Sequence, residues 1–105
     1  FFVEAIKKFG RTCDIVVNGY EALEAHRKNN YKLIFMDCQM PVMDGFRATV
    51  KIREEENRNN SAIIIAVTAY IMENDVQNCY NVGMDDYISK PIDMKVLKQM
   101  LDKYL

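Results

Sequence analysis

The sequence has no surplus of charge of either sign. Fourteen Lys and Arg stand against 15 Asp and Glu in 105 residues. A nucleic-acid footprint needs a clustered basic face, so no nucleic-acid partner is expected. A charge-driven grip on an anionic membrane fails for the same reason. No apolar run approaches the roughly 20 residues that cross a bilayer, so membrane insertion is not expected. The opening stretch Phe1–Gly10 has neither a basic leader nor an unbroken apolar block, so it does not read as a signal peptide. It also lacks a starting Met, and the chain is expected to begin partway through a longer protein. The cysteines are Cys13, Cys38 and Cys79. An odd number without C-x-x-C spacing argues against a disulfide framework or a zinc site and for reduced thiols in a cytoplasmic domain. There is no internal repeat, low-complexity tract or linker, so residues 1–105 are expected to form one domain at most, and a partial one.

What is present is a steady alternation of helix and strand. Half of the residues are hydrophobic, enough for a core. Phe2, Ala5, Ile6 and Phe9 share one helical face, and Gly10 is placed to end that helix. Cys13 to Val17 reads as a short strand before the turn signal Asn18-Gly19. Tyr20 to Asn30 reads as a second helix with Ala22, Leu23 and Ala25 inward. Lys32 to Asp37 and Ala62 to Val67 are continuous apolar runs, which suit strands covered on both faces. A third helix is predicted from about Phe46 to Arg58. A fourth carries Met72, Val76, Cys79 and Tyr80 on one face and ends at Gly83. Tyr87 to Ser89 is a last short strand. Asp93 is a candidate N-cap for a last helix whose face is Met94, Leu97, Met100, Leu101 and Tyr104.

Helices alternating with buried strands imply a parallel sheet with helices on both faces. Right-handed crossovers then bring all strand C-termini to one edge, where sites form in open α/β sheets. Asp37, Thr68 and Lys90 follow the three apolar strands and meet at that edge. A carboxylate can attack phosphorus to give an aspartyl phosphate. A hydroxyl can donate to a phosphoryl oxygen, and a Lys ammonium is a point-charge partner for phosphate. Taken singly, each residue has a plainer reading as a cap, a structural hydroxyl or a solvated cation. Only their convergence points to phosphate chemistry.

The stretch Met36-Asp37-Cys38-Gln39-Met40-Pro41-Val42-Met43-Asp44-Gly45 resembles the phosphorylation loop of response-regulator receiver domains, most of all those of hybrid histidine kinases. Ala66-Val67-Thr68-Ala69, Gly83-Met84-Asp85-Asp86-Tyr87-Ile88-Ser89-Lys90-Pro91 and Asn18-Gly19-Tyr20-Glu21-Ala22-Leu23 match further segments of that family in order. The resemblance implies a flavodoxin-like doubly wound sheet with strand order 2-1-3-4-5. It implies that Asp37 accepts a phosphoryl group from a phosphohistidine on a kinase or phosphotransfer domain. It further implies that Mg²⁺ is held by Asp37 and the backbone carbonyl of Gln39. Thr68 and Lys90 would bind the phosphoryl group, and Tyr87 would report the switch. A downstream or intramolecular partner would read the fourth helix, last strand and last helix. Gln39 and Tyr70 would flank the approach of water. The resemblance leaves open a cytosolic part of a membrane-anchored kinase.

One departure stands out. The family's acidic Mg²⁺ pair follows its first strand, and this chain starts in the first helix, so that strand and pair are expected to be absent and Mg²⁺ binding weak. With its central strand gone, the chain is expected to be unstable, to aggregate, or to pair the second and third strands directly. Asp85 and Asp86 precede the last strand and do not replace the pair. Two competing functions follow: a phosphorylation-independent interaction domain of the same fold, and an aspartyl-phosphate phosphatase. The phosphatase needs Asp-x-Asp, where Gln39 stands here. As an isolated domain the chain is not expected to be an enzyme in its own right. His26 reads as solvent-facing and Glu54-Glu55-Glu56 as a solvated helix end. Met40 and Met43 read as loop packing or a partner contact.

Overall fold

Among the described residues three parallel strands form the sheet, and their apolar side chains alternate between two covered faces. The computed structural model describes residues 6–10, 18–29, 31–37, 43–56, 61–69 and 73–105. Along them run α1 (described over residues 6–8), α2 (Gly19–Asn29), β1 (Leu33–Asp37), α3 (Gly45–Glu55), β2 (Ile63–Thr68), α4 (Glu73–Asn81), β3 (Asp86–Ser89) and α5 (Met94–Tyr104). The strand order is β1-β2-β3, with Leu33 opposite Ile63, Asp37 opposite Val67, and Thr68 opposite Ser89. The strand expected at Cys13–Val17 lies outside the described residues.

Side chains two apart on a strand share a face, and the core divides accordingly. On one face Ile34, Met36, Ile64, Ala66 and Tyr87 pack with Ala22 and Leu23 of α2, Ala48 and Ile52 of α3, and Cys79 of α4. On the other, Leu33, Phe35, Ile63, Ile65, Val67 and Ile88 meet Ile6 and Phe9 near α1 and Leu97, Met100 and Leu101 of α5. Helices therefore cover both faces, as the alternation predicts. β2, the middle strand, is buried over Ile64–Val67. In β1 only Met36 is fully buried, because among the described residues β1 pairs on one side only, with β2.

Caps end and start the elements where local chemistry demands. Gly10 and Gly83 take φ of +78° and +106°, the left-handed region that glycine enters without a Cβ clash. Asp44 accepts from Arg47 N at 2.9 Å and Asp93 from Lys95 N at 2.8 Å, capping α3 and α5. Asn18 accepts from Glu21 N at 2.8 Å at the start of α2.

Four expectations need correction. α3 stops at Glu55, because Glu56 turns to extended backbone with ψ of 146°. Its carboxylate is recruited elsewhere, accepting from Ala62 N at 2.7 Å and Arg53 Nη1 at 2.6 Å. Glu56 is thus buried rather than solvated, and Glu55 pairs with Arg27 at 2.6 Å across to α2. His26 is also buried: its Nδ1 accepts from Tyr31 N at 3.1 Å, which leaves Nε2 to donate to Glu56 Oε2 at 3.2 Å. Tyr80 is 44% exposed, since Cys79 takes the inward position on α4 and the next residue is rotated about 100° away.

Candidate functional site

The site is built from strand ends. Asp37 is the last residue of β1, Thr68 the last of β2, and Lys90 follows the last of β3. Register brings them together: Asp37 is opposite Val67, so Thr68 stands one residue further along the same edge, beside Ser89. Lys90 N donates to Thr68 O at 2.8 Å, which fixes the two backbones at this edge. Lys90 Nζ then reaches across to Asp37 Oδ2 at 2.7 Å. The three residues singled out from the sequence are the three that the sheet gathers.

The Asp37–Lys90 pair is open to solvent, with side-chain exposures of 35% and 40%. An exposed ion pair contributes little net stability, so its separation costs little. Lys90 can therefore turn towards an anion at this edge at little cost. Tyr87 lies on β3 opposite Ala66, half-buried and on the face that Ala66 and Thr68 share. Thr68 and Tyr87 are therefore diagonal neighbours on adjacent strands. Gln39 and Tyr70, expected to flank water access, lie outside the described residues.

Mg²⁺ prefers oxygen ligands and commonly uses one or two carboxylates together with substrate phosphates. Asp37 supplies one such carboxylate at an accessible edge. Among the described residues no three His, Cys, Asp or Glu side chains gather into a metal cluster. Asp85 lies at the opposite edge, accepting from Ile64 N at 2.9 Å and Arg53 Nη2 at 2.7 Å. Asp86 accepts from Tyr104 Oη at 2.6 Å, which with burial raises the Tyr104 phenol above its ordinary range. Both carboxylates are structural. No helix among the described residues is long and apolar enough to cross a membrane.

Two positions escaped the sequence reading. Arg53 donates to Gly83 O, Ala62 O, Glu56 and Asp85, joining α3 to the starts of β2 and β3. Gly19, read only as part of a turn, donates its N–H to Met43 O at 2.8 Å. The long-range contacts have no local signal: Gly83 and Asp85 lie 30 and 32 residues from Arg53, and Met43 lies far along the chain from Gly19.

The family model of the response regulator receiver domain matches residues 2–102. Hybrid signal transduction histidine kinase B of Dictyostelium discoideum is 43% identical over 99% of this chain and 6% of its own length. Kinase F of the same organism is 40% identical over 95% of this chain and 9% of its own length. The chain thus spans under a tenth of these relatives. Among solved structures, the receiver domain of a Pseudomonas aeruginosa sensor histidine kinase, with magnesium in its active-site cleft, is 35% identical. It superposes with a TM-score of 0.86 over 96% of this chain and 82% of that one. A Saccharomyces cerevisiae receiver domain, co-crystallised with a histidine phosphotransfer protein, is 29% identical. Its TM-score is 0.88 over 96% of this chain and 76% of that one. A strand-end carboxylate bridged to a lysine on a parallel sheet, and a match from residue 2 to residue 102, lead to one conclusion: the chain belongs to the response regulator receiver domain family.

Proposed function

We propose that Asp37 is the phosphoryl acceptor of a His-to-Asp relay and that Thr68 and Lys90 bind the group it accepts. The observation that carries this reading is the 2.7 Å contact between Lys90 Nζ and Asp37 Oδ2 at the C-terminal edge of the sheet. One Asp37 carboxylate oxygen attacks the phosphorus of a partner's phosphohistidine. A P–O bond forms, the P–N bond breaks, and the imidazole leaves with the electron pair. Such transfer is largely positioning and charge stabilisation. Lys90 supplies a cation already placed beside the acceptor, and the Thr68 hydroxyl donates to the attached group. Mg²⁺ held by Asp37 and the Gln39 carbonyl would neutralise phosphoryl charge. With a single carboxylate in the described set, that affinity is weak for these residues by themselves.

The partner on the donor side is a kinase or phosphotransfer domain bearing phosphohistidine. The reading surface for output is α4, β3 and α5, with Tyr87 as the reporter beside Thr68. Residues 1–105 act as one receiver unit within a cytoplasmic signalling protein of the hybrid-kinase kind. The test is incubation with acetyl phosphate and Mg²⁺, followed by mass analysis for an acid-stable, base-labile phosphoryl group. Labelling on Asp37, absent from a folded Asp37→Asn chain, is the expected result. Undiminished labelling of Asp37→Asn refutes the assignment.

A further inference from the structure

Gly19 opens α2 hard against the backbone that returns from the acceptor loop. A Cβ placed on it would stand 2.4 Å from Met43 O, 3.0 Å from Asp44 O and 3.0 Å from Ala48 Cβ. Two of these three obstacles are main-chain carbonyls, which cannot swing aside as a side-chain end does. Gly19 does not have the positive φ found at Gly10 and Gly83, so its torsion does not call for glycine. Asn18 already supplies the cap at the start of α2, so capping does not call for glycine either. Space alone accounts for it. The bare Cα allows the 2.8 Å bond from Gly19 N to Met43 O. Asp44, next along, is fixed from its other side as the N-cap of α3.

We propose that Gly19 is a positioning residue for phosphoryl transfer. By letting α2 clamp the Met43–Asp44 backbone, it anchors the far end of the segment that starts at Asp37. This rests on Asp37 being the acceptor. Ordinary contact begins near 3.4 Å, so a methyl at 2.4 Å requires the Met43 carbonyl to retreat by about 1 Å. A misplacement of that size costs up to about 10²-fold in rate when it reaches reacting groups.

The experiment compares Gly19→Ala with Gly83→Ala in the 105-residue chain. Gly83 is a control for general loosening: its added Cβ would meet Arg53 Cγ at 2.9 Å with φ of +106°, at the sheet edge away from Asp37. The rate of Mg²⁺-dependent labelling by acetyl phosphate is divided by the folded fraction from circular dichroism. Gly19→Ala is expected to lose roughly 10- to 100-fold per folded molecule, and Gly83→Ala to match the parent. The double variant Gly19→Ala/Ala48→Gly removes the methyl at 3.0 Å but leaves both carbonyls in the way. Its labelling per folded molecule therefore stays low. Should neither variant fold, Asn18→Ala loosens the capped start of α2 without adding a Cβ at residue 19. Labelling of that variant is expected to fall, and a parental rate would overturn the role. A parental rate in Gly19→Ala, recovery in the double variant, or an equal loss in Gly83→Ala would overturn the positioning role. A folded parent that takes no label on Asp37 even at saturating Mg²⁺ would instead overturn the acceptor reading, and the inference with it.

Discussion

Replacing Arg53 by Met keeps most of the side-chain length and deletes four charge-assisted contacts. Arg53 Nε donates to Gly83 O at 2.8 Å, Nη1 to Ala62 O at 2.8 Å and Glu56 Oε1 at 2.6 Å, and Nη2 to Asp85 Oδ2 at 2.7 Å. The partners differ in what they lose. Asp85 is 38% exposed and can rehydrate, so its share is at most about 1 kcal/mol. Glu56 is 6% exposed and keeps only Ala62 N and His26 against a buried negative charge. Breaking one side of a buried pair costs about 3–5 kcal/mol, a large part of a typical stability of roughly 5–15 kcal/mol. Urea titration followed by circular dichroism should show the midpoint falling at unchanged slope. At about 4–8 °C per kcal/mol for a domain near this size, the melt should drop by at least about 12 °C. Adding Glu56→Gln removes the stranded charge and should recover part of the loss, a coupling that a double-mutant cycle reads directly. Because Arg53 serves the edge opposite Asp37, labelling per folded molecule should not change. A loss under about 1 kcal/mol, the range of exposed pairs, would refute the claim that Arg53 is held in a desolvated network.

Three further outcomes are expected. The Tyr104 phenol is raised by its hydrogen bond to Asp86, so the folded state holds that proton more tightly than the unfolded chain. The resulting stability is fully present below about pH 10, the ordinary tyrosine value, and is lost as pH rises through the folded value. Tyr104→Phe should flatten this alkaline fall in melting temperature, and an unchanged slope would count against the bond. Thr68→Ala should accept phosphate on Asp37 yet fail to shift the amide resonances of α4, β3 and α5. Shifts equal to the parent's would disprove coupling through Thr68 and Tyr87. Replacing Gln39 and Tyr70 by Ala should speed loss of the phosphoryl group by admitting water, and an unaltered lifetime measured by mass analysis would remove them as gates.

The three site residues were legible because the information is local. Leu33–Asp37 and Ile63–Thr68 are apolar runs ended by a polar residue, and parallel crossovers place such ends on one edge whatever else the chain does. The cap at Asp93 and the left-handed turns at Gly10 and Gly83 depend on neighbours within a turn or so, and they too could be read directly. Tertiary structure alone decided the rest. His26 stands three and four residues after Leu23 and Ala22, on their face of α2, but its polarity argues for solvent. It is covered because Tyr31 and Glu56 supply partners for both ring nitrogens. Glu54, Glu55 and Glu56 look alike in sequence, but the chain turns at Glu56 and sends only that carboxylate inward, 6% exposed. Gly19 has the composition of a turn, yet its role comes from Met43, Asp44 and Ala48. Apart from His26 with Tyr31, such pairings join segments far apart in the chain, and no period or spacing encodes them. They arise only when packing removes water and each buried polar group must find a partner.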